Sequence, residues 1–160
     1  MTASGRAPES VWDYPRPPAV EPSPLRATIE VGGVVIVDTD RTIRVLETSH
    51  PPVHYFPPDA IRPGLIEANA RRTHCEFKGR ASYWDLVLPE RRLTAVAWSY
   101  PDPNPSYAPI SDYVAFYPTR MDRCTLDGED VVAQESDFYG GWITSQLTGP
   151  FKGAPGTRGW

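Results

Sequence analysis

Nineteen of the 160 residues are proline, gathered into a few clusters, and this limits the chain more than any other feature. Proline inside a helix or a central strand loses a backbone hydrogen bond, so the clusters mark edges and connections. Between them run short apolar stretches, several alternating with a period of two. Ala27 to Val31 and Val34 to Val37 flank Gly32-Gly33, a two-residue hairpin signal. Thr42 to Thr48 alternates so that Ile43, Val45 and Glu47 share one face. Thr73 to Phe77 and Arg80 to Leu88 read as strands around Lys78-Gly79. Leu93 to Tyr100 and Tyr113 to Tyr117 read as two more, and Cys124 to Leu126 pairs with Glu129 to Val132 across Asp127-Gly128. About eight short strands predict a mainly β domain. One helix is expected, from Asp59 to Ala70, with Asp59 as its cap and Pro63-Gly64 interrupting it.

Residues 1–26 are polar and proline-rich, and are expected to form an extended arm. Trp12 and Tyr14 give that arm enough apolar surface to dock on the rest, so residues 27–160 are read as one domain. A hydrophobic fraction of 40% and a charged fraction of 22% fit a globular chain. The net charge of -4, with no basic run longer than two arginines, argues against a nucleic-acid partner and an anionic membrane partner. Met1 to Ser10 lacks the apolar stretch of a secretory leader, and Cys75 and Cys124 fit a reducing compartment, so a cytoplasmic location is expected. A disulfide between the two, and self-association of the chain, stay open at this point.

Several ordered phrases carry a family resemblance. They are Arg44-Val45-Leu46-Glu47-Thr48, Thr73-His74-Cys75-Glu76-Phe77-Lys78-Gly79, Ala97-Trp98-Ser99-Tyr100, Ala115-Phe116-Tyr117, Phe138-Tyr139-Gly140-Gly141-Trp142 and Gly149-Pro150-Phe151-Lys152-Gly153-Ala154-Pro155-Gly156-Thr157. Together they resemble the bacterial and fungal family catalogued as domain of unknown function 427, over most of the chain from about Trp12 to Trp160. The resemblance implies a compact, curled, antiparallel β-tent with a small helical or loop lobe and a cleft between them. It implies no settled reaction, although a label attached to the family hints at nucleotidyl transfer.

That hint finds little in the residues. Nucleotidyl transfer needs carboxylates that hold divalent metals and a loop that cradles a triphosphate. The nearest match, Gly32-Gly33 before Asp38-Thr39-Asp40, reads better as a hairpin. His50, His54, His74 and Cys75 lack the paired spacing of a closed metal site, so no metal and no cofactor is expected. Cys75 shares a strand face with Thr73 and Phe77, which makes it a candidate nucleophile set against a packing role.

The cations are more informative. Fourteen of the 16 are arginine, and the two lysines, Lys78 and Lys152, each stand between Phe and Gly. Lysine is a compact charge with a tunable pKa, which arginine is not. Glu47, on a face shared with Ile43 and Val45, calls for a partner, and Lys78 is the expected one. The candidate catalytic residues are therefore Glu47, Lys78 and Cys75. The candidate ligand-binding residues are Tyr83, Trp98, Tyr117, Tyr139, Trp142 and Lys152, with the aromatics as walls. The resulting expectation is a domain that binds or converts a small polar or anionic molecule in an aromatic-lined cleft. A non-catalytic protein-interaction module is the alternative.

Overall fold

The hairpin signals act where they stand. Gly32 and Gly33 have φ of 60° and 76°, and Asp127 and Gly128 have 48° and 81°. Two consecutive left-handed residues make the tight turn whose twist matches flanking strands. The computed structural model describes residues 7–136 and 138–160. Residues 1–6 of the expected arm and Asp137 lie outside them.

The first half of the chain gives β1 (Glu9–Ser10), β2 (Ala19–Ser23), β3 (Ala27–Val31), β4 (Val34–Thr39), β5 (Thr42–Leu46) and β6 (Val53–Tyr55). The middle gives the long strands β7 (Ile66–Cys75), β8 (Gly79–Leu88) and β9 (Arg91–Ser99), then β10 (Val114–Phe116). The remainder gives β11 (Arg123–Leu126), β12 (Glu129–Asp130), β13 (Val132–Ala133), β14 (Trp142–Ile143) and β15 (Leu147–Thr148). Helical structure among the described residues is confined to four short 3-10 turns. The helix expected from Asp59 to Ala70 does not form. Pro58–Ala60 makes a single turn, and from Ile66 the chain is extended and pairs with β8, Ile66 opposite Leu86. Pro63-Gly64 separates the two, and strand pairing overrides the local helical spacing beyond it.

The strands form a four-stranded sheet β10-β9-β8-β7, a second of order β12-β11-β3-β4, a third of order β2-β5-β6, and two small pairs. Among the described residues every pairing between these strands is antiparallel except β1 with β15, and no sheet closes into a barrel. The first sheet is central, because alternation sends its side chains to two different cores. Along β10, Val114 and Phe116 join a largely aliphatic core shared with β3, β4 and β11, whereas Ala115, and Tyr117 just past the strand, face the other way. Along β8, Leu86 and Leu88 go to the first core, and Ala81 and Tyr83 to the second, shared with β5 and β6. Each fully buried Val, Ile or Phe of the first core contributes about 1.5–3 kcal/mol.

The N-terminal segment belongs to this architecture by hydrogen bonding. β2 pairs along β5, with Val20 opposite Val45. Val11 is fully buried against Tyr14 and Leu46. Arg44, also buried, is held by Glu9 and Glu21, and Tyr14 donates its hydroxyl to Glu9 at 2.7 Å. Burial opposes that guanidinium's charge, and the hydrogen bonds to the two carboxylates outweigh it, raising its pKa.

Candidate functional site

The second core does not close. Tyrosine and tryptophan side chains from β6, β8, β9 and the end of β10 leave a cavity of about 280 Å³ between the central sheet and the β2-β5-β6 sheet. Its floor is aromatic. Tyr55, Tyr83, Trp98, Tyr100 and Tyr117 line it and are all buried. The Trp98 and Tyr117 rings pack at a tilt of 41° with centroids 4.5 Å apart, and Trp98 Nε1 donates to the Tyr55 hydroxyl at 3.1 Å. Thr73 and Tyr83 share a hydrogen bond of 3.1 Å between their hydroxyls. Burial pushes the phenols of Tyr55, Tyr100 and Tyr117 well above the usual range, so they stay neutral donors and acceptors.

The rim carries the charge. Glu47 and His50 come from the turn after β5, in which the His50 N–H closes on the Glu47 carbonyl at 3.0 Å. Ser49 between them has φ of 71°, a left-handed conformation that a non-glycine residue adopts only under constraint. The constraint comes from both ends of the chain. Ser49 N–H donates to the Val11 carbonyl, and its own carbonyl accepts from Lys152 N–H. Its hydroxyl is buried without a partner among the described residues.

Lys78 and Lys152 both line the cavity. Lys78 Nζ lies 5.9 Å from the centre of the Tyr100 ring, and Lys152 Nζ 5.3 Å from that of Tyr139. Ammonium groups at such distances are attracted by the ring faces. Neither lysine has a carboxylate within 4.0 Å among the described residues. Glu47 therefore does not pair with Lys78 as expected. It faces Arg16 at 3.5 Å and His50 at 3.8 Å. Arg16 reaches it from the N-terminal segment, anchored on the Thr48 and Trp160 carbonyls.

His50 is 7% exposed. Burial first, and then the positive charges of Lys152, Arg16 and Lys78, pull its pKa down to about 4. It is thus neutral at pH 7 although a carboxylate stands nearby. Cys75 lines the cavity, its Sγ accepting the Lys78 backbone N–H at 3.5 Å. Cys124 is buried in the aliphatic core, where burial pushes its thiol up to about 12, and both thiols are free. Among the described residues no group of three or more His, Cys, Asp or Glu side chains could hold a metal ion.

Of the residues singled out from the sequence, Glu47, Cys75, Lys78, Tyr83, Trp98, Tyr117, Tyr139 and Lys152 all line this one cavity. Trp142 does not, which corrects its expected place in the wall. It is 1% exposed in the aliphatic core, between His54 and Phe56, with its Nε1 buried and unpartnered among the described residues. The preceding glycines explain why. A Cβ on Gly140 would stand 2.5 Å from the Trp98 ring, and one on Gly141 the same distance from Pro51. Only a bare backbone lets this segment lie over Trp98, and the chain then turns the next side chain inward. Sequence reading missed His50 as a cavity residue, as well as Tyr55 and Tyr100. The available signal was the three-residue spacing of His50 from Glu47.

A search of the curated proteins gives no match. A family model described as "Domain of unknown function (DUF427)" matches residues 19–127. That stretch holds the three larger sheets apart from β12, and with them the cavity floor. The chain belongs to the DUF427 family.

Proposed function

We propose that the cavity binds a small anionic molecule with a flat, ring-bearing body, and that Glu47 and Cys75 stand ready to act on it. The carrying observation is the placement of the two lysines. Both stand on the wall of the same cavity, each over an aromatic ring, and neither has a carboxylate within 4.0 Å among the described residues. An anion supplies the counter-charge, and the tyrosine and tryptophan faces receive the body. Neutral phenols and the Cys75 thiol offer further polar contacts inside. Two free thiols also suit a cytoplasmic setting.

A protein-interaction role has less to support it. The exposed large apolar side chains among the described residues are Trp12, Val35, Val132 and Phe138, on four separate segments, and Phe138 belongs to the cavity rim.

Native mass spectrometry of the purified chain should detect a co-purifying small anion. A thermal-shift panel of ring-bearing carboxylates, benzoate among them, should raise Tm. Lys78→Met and Lys152→Met should each leave the ligand-free Tm nearly unchanged and abolish both signals. A Lys78→Met variant that loses stability and still responds to the acids would make the lysine a structural cation and end this reading.

A further inference from the structure

Gln134 is wholly buried just past β13, and its carboxamide is committed to three partners. Its Oε1 accepts the Gly141 N–H at 3.0 Å, and its Nε2 donates to the Lys152 carbonyl at 2.8 Å. Turning the amide over would set N–H against N–H and carbonyl against carbonyl. The backbone on both sides therefore fixes its orientation. The remaining Nε2 hydrogen meets His50 Nδ1 at 3.2 Å. An amide nitrogen only donates, so Nδ1 must accept, and the ring proton is confined to Nε2. That nitrogen lies 3.8 Å from Glu47 Oε2, too far for a direct hydrogen bond, and His50 and Glu47 both line the cavity.

We propose that Gln134 locks His50 as a neutral Nε2–H donor that hydrogen-bonds an oxygen of the anion bound in the cavity, beside Glu47. The inference rests on the anion-binding reading above. It divides the labour of the site. With Nε2 protonated and Nδ1 engaged, His50 is not a general base; it polarises a bound oxygen, and proton acceptance falls to Glu47. Gln134 is a positioning residue, acting through the imidazole. The groups around the ring favour the same state. Lys152, Lys78 and Arg16 oppose a positive imidazole, Tyr139 packs edge-on with ring centroids 4.8 Å apart, and Glu47 alone among the described residues brings a carboxylate within 4.0 Å.

Long-range proton–nitrogen NMR at pH 7 should show His50 neutral with its proton on Nε2. Gln134→Glu replaces the donor facing Nδ1 with an acceptor, and should convert the ring to imidazolium at the same pH. Calorimetric titration with benzoate gives the second readout. His50→Leu should weaken benzoate binding about tenfold, the worth of a hydrogen bond to a charged oxygen. His50→Gln, which keeps an N–H donor, should recover most of it. A wild-type ring protonated on Nδ1 or on both nitrogens overturns the proposal, and so does a His50→Leu variant that binds benzoate as tightly as the wild type. If the wild type binds no benzoate at all, the anion reading itself fails and the donor role goes with it. Should Gln134→Glu not fold, the wild-type spectrum and the two His50 variants still decide.

Discussion

The central sheet presents two faces of opposite character. Toward β3, β4 and β11 it buries Leu86, Leu88, Val96, Val114 and Phe116 in a core that contains no tyrosine. Toward β5 and β6 it buries Tyr55, Tyr83, Trp98, Tyr100, Tyr107 and Tyr117. Aliphatic side chains interdigitate and close. Rigid rings carrying hydroxyls must also satisfy their polar atoms, and here they satisfy them partly on one another, leaving a hollow. Strands β8, β9 and β10 thus make a scaffold on one side and a chamber on the other. The scaffold face should answer mutation with lost stability, the chamber face with lost binding.

The sharpest test is Phe116→Ala, which empties a fully buried ring site in the aliphatic core. It should cost about 3–5 kcal/mol in denaturant unfolding; a cost near zero would mean the two faces do not differ as described. The next effect is acid sensitivity. His50 has its folded-state pKa lowered to about 4 from an ordinary 6.5, so the unfolded chain binds the proton more readily. The stabilising contribution is complete above pH 6.5 and is lost as pH falls toward 4, on the order of 3 kcal/mol in all. Urea unfolding across that window should show it, and His50→Gln should remove most of the slope. The smallest effect belongs to the chamber. Tyr117→Phe keeps the ring against Trp98 and loses only a hydroxyl, so it should cost about 1 kcal/mol or less while altering benzoate affinity. A larger loss of stability than of binding would erase the distinction between the faces.

Much of this was legible in the sequence, because hairpin turns and period-two alternation are local signals. Gly32-Gly33 and Asp127-Gly128 located their turns, and alternation placed Val45, Glu47 and Cys75 on the faces that line the cavity. The failures are non-local. Ile66 to Ala70 looks helical because β7 is an edge strand, exposed along most of its length, and lacks the alternation of a half-buried one. Its partner β8 decides its conformation. Lys78 seemed the natural partner for Glu47, but Arg16 is delivered by a segment whose course strand spacing does not encode. Trp142 follows two glycines, where neither helical nor strand periodicity says which way a side chain turns. The role of His50 depends on Gln134, 84 positions further along the chain.

The bracing of Ser49 has a consequence for how such proteins diversify. The turn that displays Glu47 and His50 lies inside residues 19–127, which the family model matches, yet its supports lie outside that match. Val11 and Pro15 hold it from before, and Lys152 from after; Gln134 and Tyr139, which set the imidazole, also fall beyond the matched residues. A relative that kept the common segment and exchanged its flanks would inherit the tyrosine floor and receive a different roof. The ligand proposed above would then meet the same tyrosine floor under a roof that the residues before 19 and after 127 supply.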